Sequence, residues 1–139
     1  DLHSNFVGGT SPNDSYEVYS PPYMFLPRPF IRSSPAIVGY TTAAAGAFTV
    51  LVELNPGSQS PPPFEAVLMR PTSVTHHFDA EQRYLDLEVT ASVMTPGNPK
   101  RWTLTINPPS DPTLMPPGYY MLFIRSGATV SAARTVRLQ

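Results

Sequence analysis

Cysteine is absent from all 139 residues, so the redox compartment cannot be read from thiol usage, and no thiol is available as a nucleophile. Lysine occurs once, at Lys100, and the other cations are arginines. With nine basic residues against ten acidic ones and a net charge of -1, there is no basic cluster to hold nucleic acid. No apolar run approaches the length of a membrane span. Glycine is scarce, 8 residues against 18 prolines, and no phosphate-cradling glycine loop is present. The serines lie in loops without nucleophile-elbow glycines, so an autonomous hydrolase has no evident machinery.

Abundant proline has a structural meaning. It breaks helices and is confined to turns and strand edges. The pairs Pro21-Pro22, Pro108-Pro109 and Pro116-Pro117, and the run Pro61 to Pro63, cut the chain into short pieces. No segment carries a sustained helical stripe. Period-two alternation appears instead: Phe48, Val50, Val52 and Leu54 share a face, as do Leu85, Leu87 and Val89. Trp102 to Ile106 alternates again, and Val136 and Leu138 face inward with Arg137 outward. The spacing predicts strands at Phe30 to Arg32, Ala36 to Tyr40, Phe48 to Leu54, Phe64 to Arg70, Val74 to Phe78, Tyr84 to Ala91, Trp102 to Ile106 and Tyr119 to Arg125. Tyr119 to Arg125 is apolar on both sides, which predicts a central strand covered on both faces. The fold class is all-β: an immunoglobulin-like antiparallel β-sandwich of seven to nine strands. A polar arm over residues 1–14 precedes one domain over 15–139.

The one cluster that suggests chemistry lies in Thr72 to Val89, TSVTHHFDAEQRYLDLEV. His76 and His77 sit between Val74 and Phe78, ahead of a charged corner from Asp79 to Arg83 that reads as solvated. This places the histidines at or just before a hairpin turn, where a rigid sheet can present a side chain outward. A continued strand would instead turn the two rings to opposite faces.

The same residues carry a resemblance. S-V-T-H-x-F-D-x-x-Q-R-Y, then Pro116-Pro117-Gly118-Tyr119-Tyr120-Met121-Leu122-Phe123, resembles the C-terminal domain of galactose oxidase and glyoxal oxidase. Tyr16 to Phe25, with Arg28-Pro29, is similar to the opening of that domain, and together the matches run in order from about Gly9 to Leu138. The resemblance implies an immunoglobulin-like domain docked on a seven-bladed propeller, in an extracellular or cell-surface protein. It also implies copper in the complete parent protein, held by two tyrosines and two histidines, one tyrosine being cross-linked to a cysteine. In that family the C-terminal domain donates one histidine, and the shared T-H dipeptide puts it at His76. Position 77 is usually small there, so His77 stands as a rival ligand.

Without cysteine or propeller, this chain alone is expected to hold no cofactor and to be no oxidase, since one histidine does not make a copper site. The competing expectation is a self-standing module that binds carbohydrate or protein through exposed Tyr and Trp rings. The aromatic stretch Tyr16 to Phe30 is expected to pack its rings on the sandwich, with a stacking platform as the rival. At the start of the chain, Asp1-Leu2-His3 would offer Cu(II) or Ni(II) four nitrogens only from a free amino terminus, and an incidental histidine in an arm is the expectation. Asn13-Asp14-Ser15 is a glycosylation acceptor only in a secreted eukaryotic chain. No signal segment precedes Asp1, which fits a cytoplasmic chain, a processed chain or a fragment equally.

Overall fold

The computed structural model describes residues 18–41, 46–54, 63–97 and 99–139. His3, Asn13, Tyr16 and the whole arm over residues 1–14 lie outside them.

Short, β-branched and aromatic segments bounded by proline form two sheets. The first holds β1 (Pro29–Ser33), β3 (Phe48–Leu54), β7 (Arg101–Ile106) and β6 (Val89–Thr95), in the order β1-β3-β7-β6. The second runs β2 (Ile37–Val38), β10 (Arg134–Leu138), β8 (Gly118–Ser126), β4 (Phe64–Met69), β5 (Tyr84–Leu87), with β9 (Thr129–Val130) beside β8. Two of these are two-residue pairings, so the sandwich rests on longer strands in the expected number. Every pairing is antiparallel except β10 with β2. A 3₁₀ turn, Pro22–Phe25, lies against β9.

The alternating residues meet between the sheets. Val50, Val52, Leu54, Trp102, Leu104 and Ile106 from one sheet face Ala66, Leu68, Tyr120, Leu122, Ile124, Val136 and Leu138 from the other. Trp102 is buried against Phe64, ring centroids 5.8 Å apart, so it offers nothing to an external ligand, contrary to the sequence expectation. Tyr120 is fully buried and donates its hydroxyl to the Pro116 carbonyl at 2.6 Å, the corner bond familiar in immunoglobulin-like sandwiches. Tyr40 donates to the neighbouring Met115 carbonyl, also at 2.6 Å. Two rings thus pin the loop that leads into β8.

Three expectations need correction. The stretch Tyr84 to Ala91 is two strands, because the chain leaves the second sheet after Leu87 and joins the first at Val89. Glu88 makes the crossing, its carbonyl accepting from Asn107 N at 2.9 Å and its carboxylate from Asn107 Nδ2 at 2.8 Å. Next, β8 is central but not covered on both faces: Tyr119 and Arg125 are exposed and Met121 and Phe123 half-buried, since only one face meets the other sheet. Finally, Tyr19, Phe25 and Phe30 are exposed rather than packed on the sandwich.

Glu53 is a feature that alternation misses. It lies on the outer face of the first sheet, yet it is only 6% exposed. Arg32 forks onto it, Nε to Oε2 at 2.8 Å and Nη2 to Oε1 at 2.6 Å, and Arg101 Nε reaches Oε2 at 3.3 Å. Arg32 also lies 4.6 Å over the Phe30 ring. A carboxylate taken out of water persists when charged donors replace the water. The Arg32 hydrogen bond holds the Glu53 carboxyl below its ordinary value of 4.5.

Two predictions follow from this packing. Leu87→Ala removes buried methylenes at the crossing and should cost about 2–5 kcal/mol in urea unfolding; a change near zero would mean that Leu87 is not core. Because the Glu53 carboxyl is depressed in the folded state, the unfolded chain takes up the proton first as pH falls. Its contribution is therefore present above pH 4.5 and lost as pH drops through the lower folded value. The melting-temperature gap between the wild type and Glu53→Gln should be widest near neutrality and close in acid. A gap that stays constant with pH would remove the ionised carboxylate from the account.

Candidate functional site

The loop from Arg70 to Arg83 continues the β4–β5 pair outward as a projecting hairpin. Its base is closed by Arg70 N donating to the Arg83 carbonyl at 3.0 Å. Above that, Arg70 Nη2 meets Glu81 Oε2 at 3.2 Å, and Thr72 Oγ1 donates to Asp79 Oδ2. Asp79 Oδ1 also accepts from Glu81 N at 3.2 Å. At the top, Thr75 and Phe78 exchange both backbone hydrogen bonds, at 3.1 and 3.0 Å. The charged corner from Asp79 to Arg83 is a turn with Ala80, Glu81 and Gln82 exposed, as expected of a solvated bend, tied to the other arm of the hairpin by these side-chain contacts.

His76 and His77 are the two residues between Thr75 and Phe78, and they form the turn itself. Val74 to Phe78 is therefore not a strand beyond the single bridge, and alternating faces do not apply to the two rings. Their φ values are +54° and +60°, both left-handed. Two-residue hairpin turns of this kind favour Asn-Gly, because a side chain in that region clashes with its own backbone. A histidine pair here is costly, and strain of this sort collects at functional positions. Both rings are exposed. Val74 and Phe78 beside them are also about 70% exposed, so the tip ends in an apolar collar around two imidazoles.

Thr75 Oγ1 lies 2.7 Å from His76 Nδ1. With Nδ1–H donating to that hydroxyl, Nε2 keeps its lone pair as the ring's free ligating atom. The donor set suits a borderline metal ion, but it is one imidazole, or two at most. Among the described residues no group of three or more His, Cys, Asp or Glu side chains comes together. Arg70, which sequence reading passed over, anchors the stem, and its guanidinium also lies beside the buried Tyr120 hydroxyl. Burial of that hydroxyl pushes its pKa up.

The fold is thus an immunoglobulin-like sandwich with one long hairpin projecting from it. The galactose oxidase-like, early set domain family matches residues 28–138, and the chain belongs to that family. It is 32% identical over 129 residues to "Aldehyde oxidase GLOX" of Vitis pseudoreticulata, covering 88% of this chain and 23% of that protein. It is also similar to a solved structure described as a novel fungal alcohol oxidase with catalytic diversity among the AA5 family, in complex with copper. There the TM-score is 0.59 at 27% identity, over 86% of this chain and 24% of the other. The chain therefore spans about a quarter of the length of these relatives. No helix among the described residues is long and apolar enough to cross a membrane.

The strained turn yields a prediction of its own. Replacing His76-His77 by Asn-Gly should stabilise the chain by about 1–2 kcal/mol, since left-handed backbone then carries no side-chain penalty. Chemical denaturation of the double variant reads this directly, and a loss of stability would show that the rings brace the tip.

Proposed function

We propose that this chain is the non-catalytic early-set module of a copper-radical-oxidase-like protein, and that its hairpin donates His76 to a copper site completed by a propeller domain. The observation that carries this is the tip: two exposed imidazoles in left-handed backbone, collared by exposed Val74 and Phe78, on a hairpin bonded at its base and again at its top. An apolar collar suits insertion into a partner, where its burial offsets the cost of ordering the loop. The relatives described as an aldehyde oxidase and a copper-bound alcohol oxidase support the same reading.

In such a parent, copper with its tyrosyl partner would oxidise a primary alcohol or aldehyde and reduce dioxygen to hydrogen peroxide. This chain's part is narrower. His76 offers Nε2, Thr75 fixes the ring through Nδ1, and the Arg70–Glu81 and Thr72–Asp79 rungs hold the tip at a set height. Once inserted in such a partner, Val74 and Phe78 would exclude water around the ring. The propeller partner and an extracellular setting are parts of this proposal.

A second reading has its own support in the exposed rings of Tyr19, Phe25, Phe30 and Tyr119, which fit a self-standing module that stacks on carbohydrate. Calorimetric titration with soluble glycans separates the two.

In the complete protein, His76→Ala should abolish tight copper binding, read by metal content after dialysis, and oxidase activity with it. His77→Ala should leave both, and the 139-residue chain loaded with copper should release no peroxide above free copper. Copper retained by His76→Ala, or lost in His77→Ala alone, would overturn the assignment.

A further inference from the structure

A projecting hairpin aims its tip only as well as its root is held. Two-stranded ribbons twist strongly and are marginally stable by themselves. Among the described residues, no third strand pairs with residues 71–82. Extended chain from Arg70 to His76 reaches about 20 Å, at roughly 3.3 Å per residue. A tilt of about 5° at the root then carries the tip about 1.7 Å, while a metal ligand is held to within ~0.2 Å. A contact at the root therefore controls the aim of the tip more than a contact near the turn does.

Among the described residues, the side-chain hydrogen bonds of the hairpin stay within it. Thr72 Oγ1 and Glu81 N both donate to Asp79, Thr75 Oγ1 meets His76, and Arg83 Nη1 donates to the Gln82 carbonyl. On one flank a cleft separates Gln82 and Arg83 from Thr113, Leu114 and Met115. Arg70 differs. Its side chain is only 23% exposed, and its Nη2 meets Glu81 Oε2 on the returning arm at 3.2 Å. The same Nη2 lies 3.9 Å from where a Cβ on Gly118, the first residue of β8, would stand. The guanidinium also lies beside the Tyr120 hydroxyl, which donates to the Pro116 carbonyl at 2.6 Å. One planar group thus meets the returning arm of the hairpin, the start of β8 and a ring buried in the core.

We propose that Arg70 is the positioning residue of the hairpin, clamping its root to the Tyr120 corner and so fixing the direction in which His76 leaves the sandwich. This role rests on His76 being the copper ligand, and it adds the residue that aims it. Glu81 is 65% exposed, so its ion pair with Arg70 is weak, and the holding side of the clamp is Tyr120 with Gly118. Arginine fits because a rigid fork meets a carboxylate and a hydroxyl on different segments at once, where a lysine ammonium is one point on a flexible stem. Loss of the clamp leaves the ligand in place and spoils its geometry.

Two measurements separate this role from the copper assignment beneath it. In the 139-residue chain without copper, NMR relaxation reads the order of the Thr75 to Phe78 amides. Arg70→Lys should lower their order parameters from about 0.85 to below about 0.6, with β4 and β8 amides still protected from exchange. Tyr120→Phe, which leaves the hairpin untouched, should loosen the tip as well, and Glu81→Gln should not. In the complete protein, Arg70→Lys should keep its copper through dialysis, shift the Cu(II) paramagnetic resonance spectrum, and lower kcat about tenfold or more with KM little changed. A tip as ordered in Arg70→Lys as in the wild type would overturn the proposal. So would lost protection across β4 and β8, which would make Arg70 a support of the whole fold. So would an unchanged copper spectrum in a protein that loses copper on His76→Ala. If His76→Ala keeps its copper, the ligand assignment fails by itself, and the tip relaxation still decides whether Arg70 aims the hairpin.

Discussion

The position of the histidines depends on the register of β4. That strand is hydrogen-bonded on both sides, to β8 through Phe64–Met69 and to β5 through Ala66–Met69, and Ala66 and Leu68 are wholly buried. A slip by one residue would turn Ala66 and Leu68 to solvent and bring Glu65 inward, so register is fixed by the core. The hairpin inherits it. Met69 pairs with Tyr84, Arg70 N bonds to the Arg83 carbonyl, and the two arms pair again at Thr75 and Phe78. The tip can only be the two residues between them. Core packing and site geometry are thus one constraint read at two heights.

This explains how much was legible in the sequence. The strands, their inward faces and the hairpin place of His76 and His77 follow from alternation and turn spacing, which report burial directly. The sheet switch at Glu88 does not, for a clear reason. Both sheets face the same core, so Leu85, Leu87 and Val89 stay inward while the chain changes sheet, and the period passes through unbroken. Glu53 was illegible for the opposite reason: its partners Arg32 and Arg101 are 21 and 48 residues away, and local pattern assigns an outward carboxylate to water. The left-handed turn was hidden as well, since Asn-Gly is its usual signal and His-His is not. Only the ladder beneath shows that those residues must close it.

The apolar exterior divides by position. Around the tip, Val74 and Phe78 are exposed where a compact domain gains nothing from them. On the outer face of the second sheet, Met121 and Phe123 are half-covered beside the exposed Tyr119. Each apolar group left in water forgoes burial worth roughly 25 cal/mol per Å². Exposed apolar groups gathered at one projecting end need an explanation beyond the stability of the sandwich, whereas single exposed rings elsewhere do not.

The electrostatic economy of the chain points the same way. Of the nine cations, six arginines hold backbone or carboxylates: Arg32 and Arg101 on Glu53, Arg134 on Ile31, Arg70 on Glu81, Arg125 on Glu65 and Arg83 on the Gln82 carbonyl. Arginine suits these tasks because its planar fork can set two donors on a carboxylate, as Arg32 does, or on one carbonyl, as Arg134 does, while its stem covers apolar surface. Lysine, a flexible point charge, would serve none of them as well, which gives a physical reason for its near absence. Charge in this domain is structural bracing, placed so that the β1 edge, the buried Glu53 and the histidine hairpin each keep a single geometry. Among the described residues, what the bracing leaves exposed at the projecting end is the hairpin tip, with His76, His77, Val74 and Phe78.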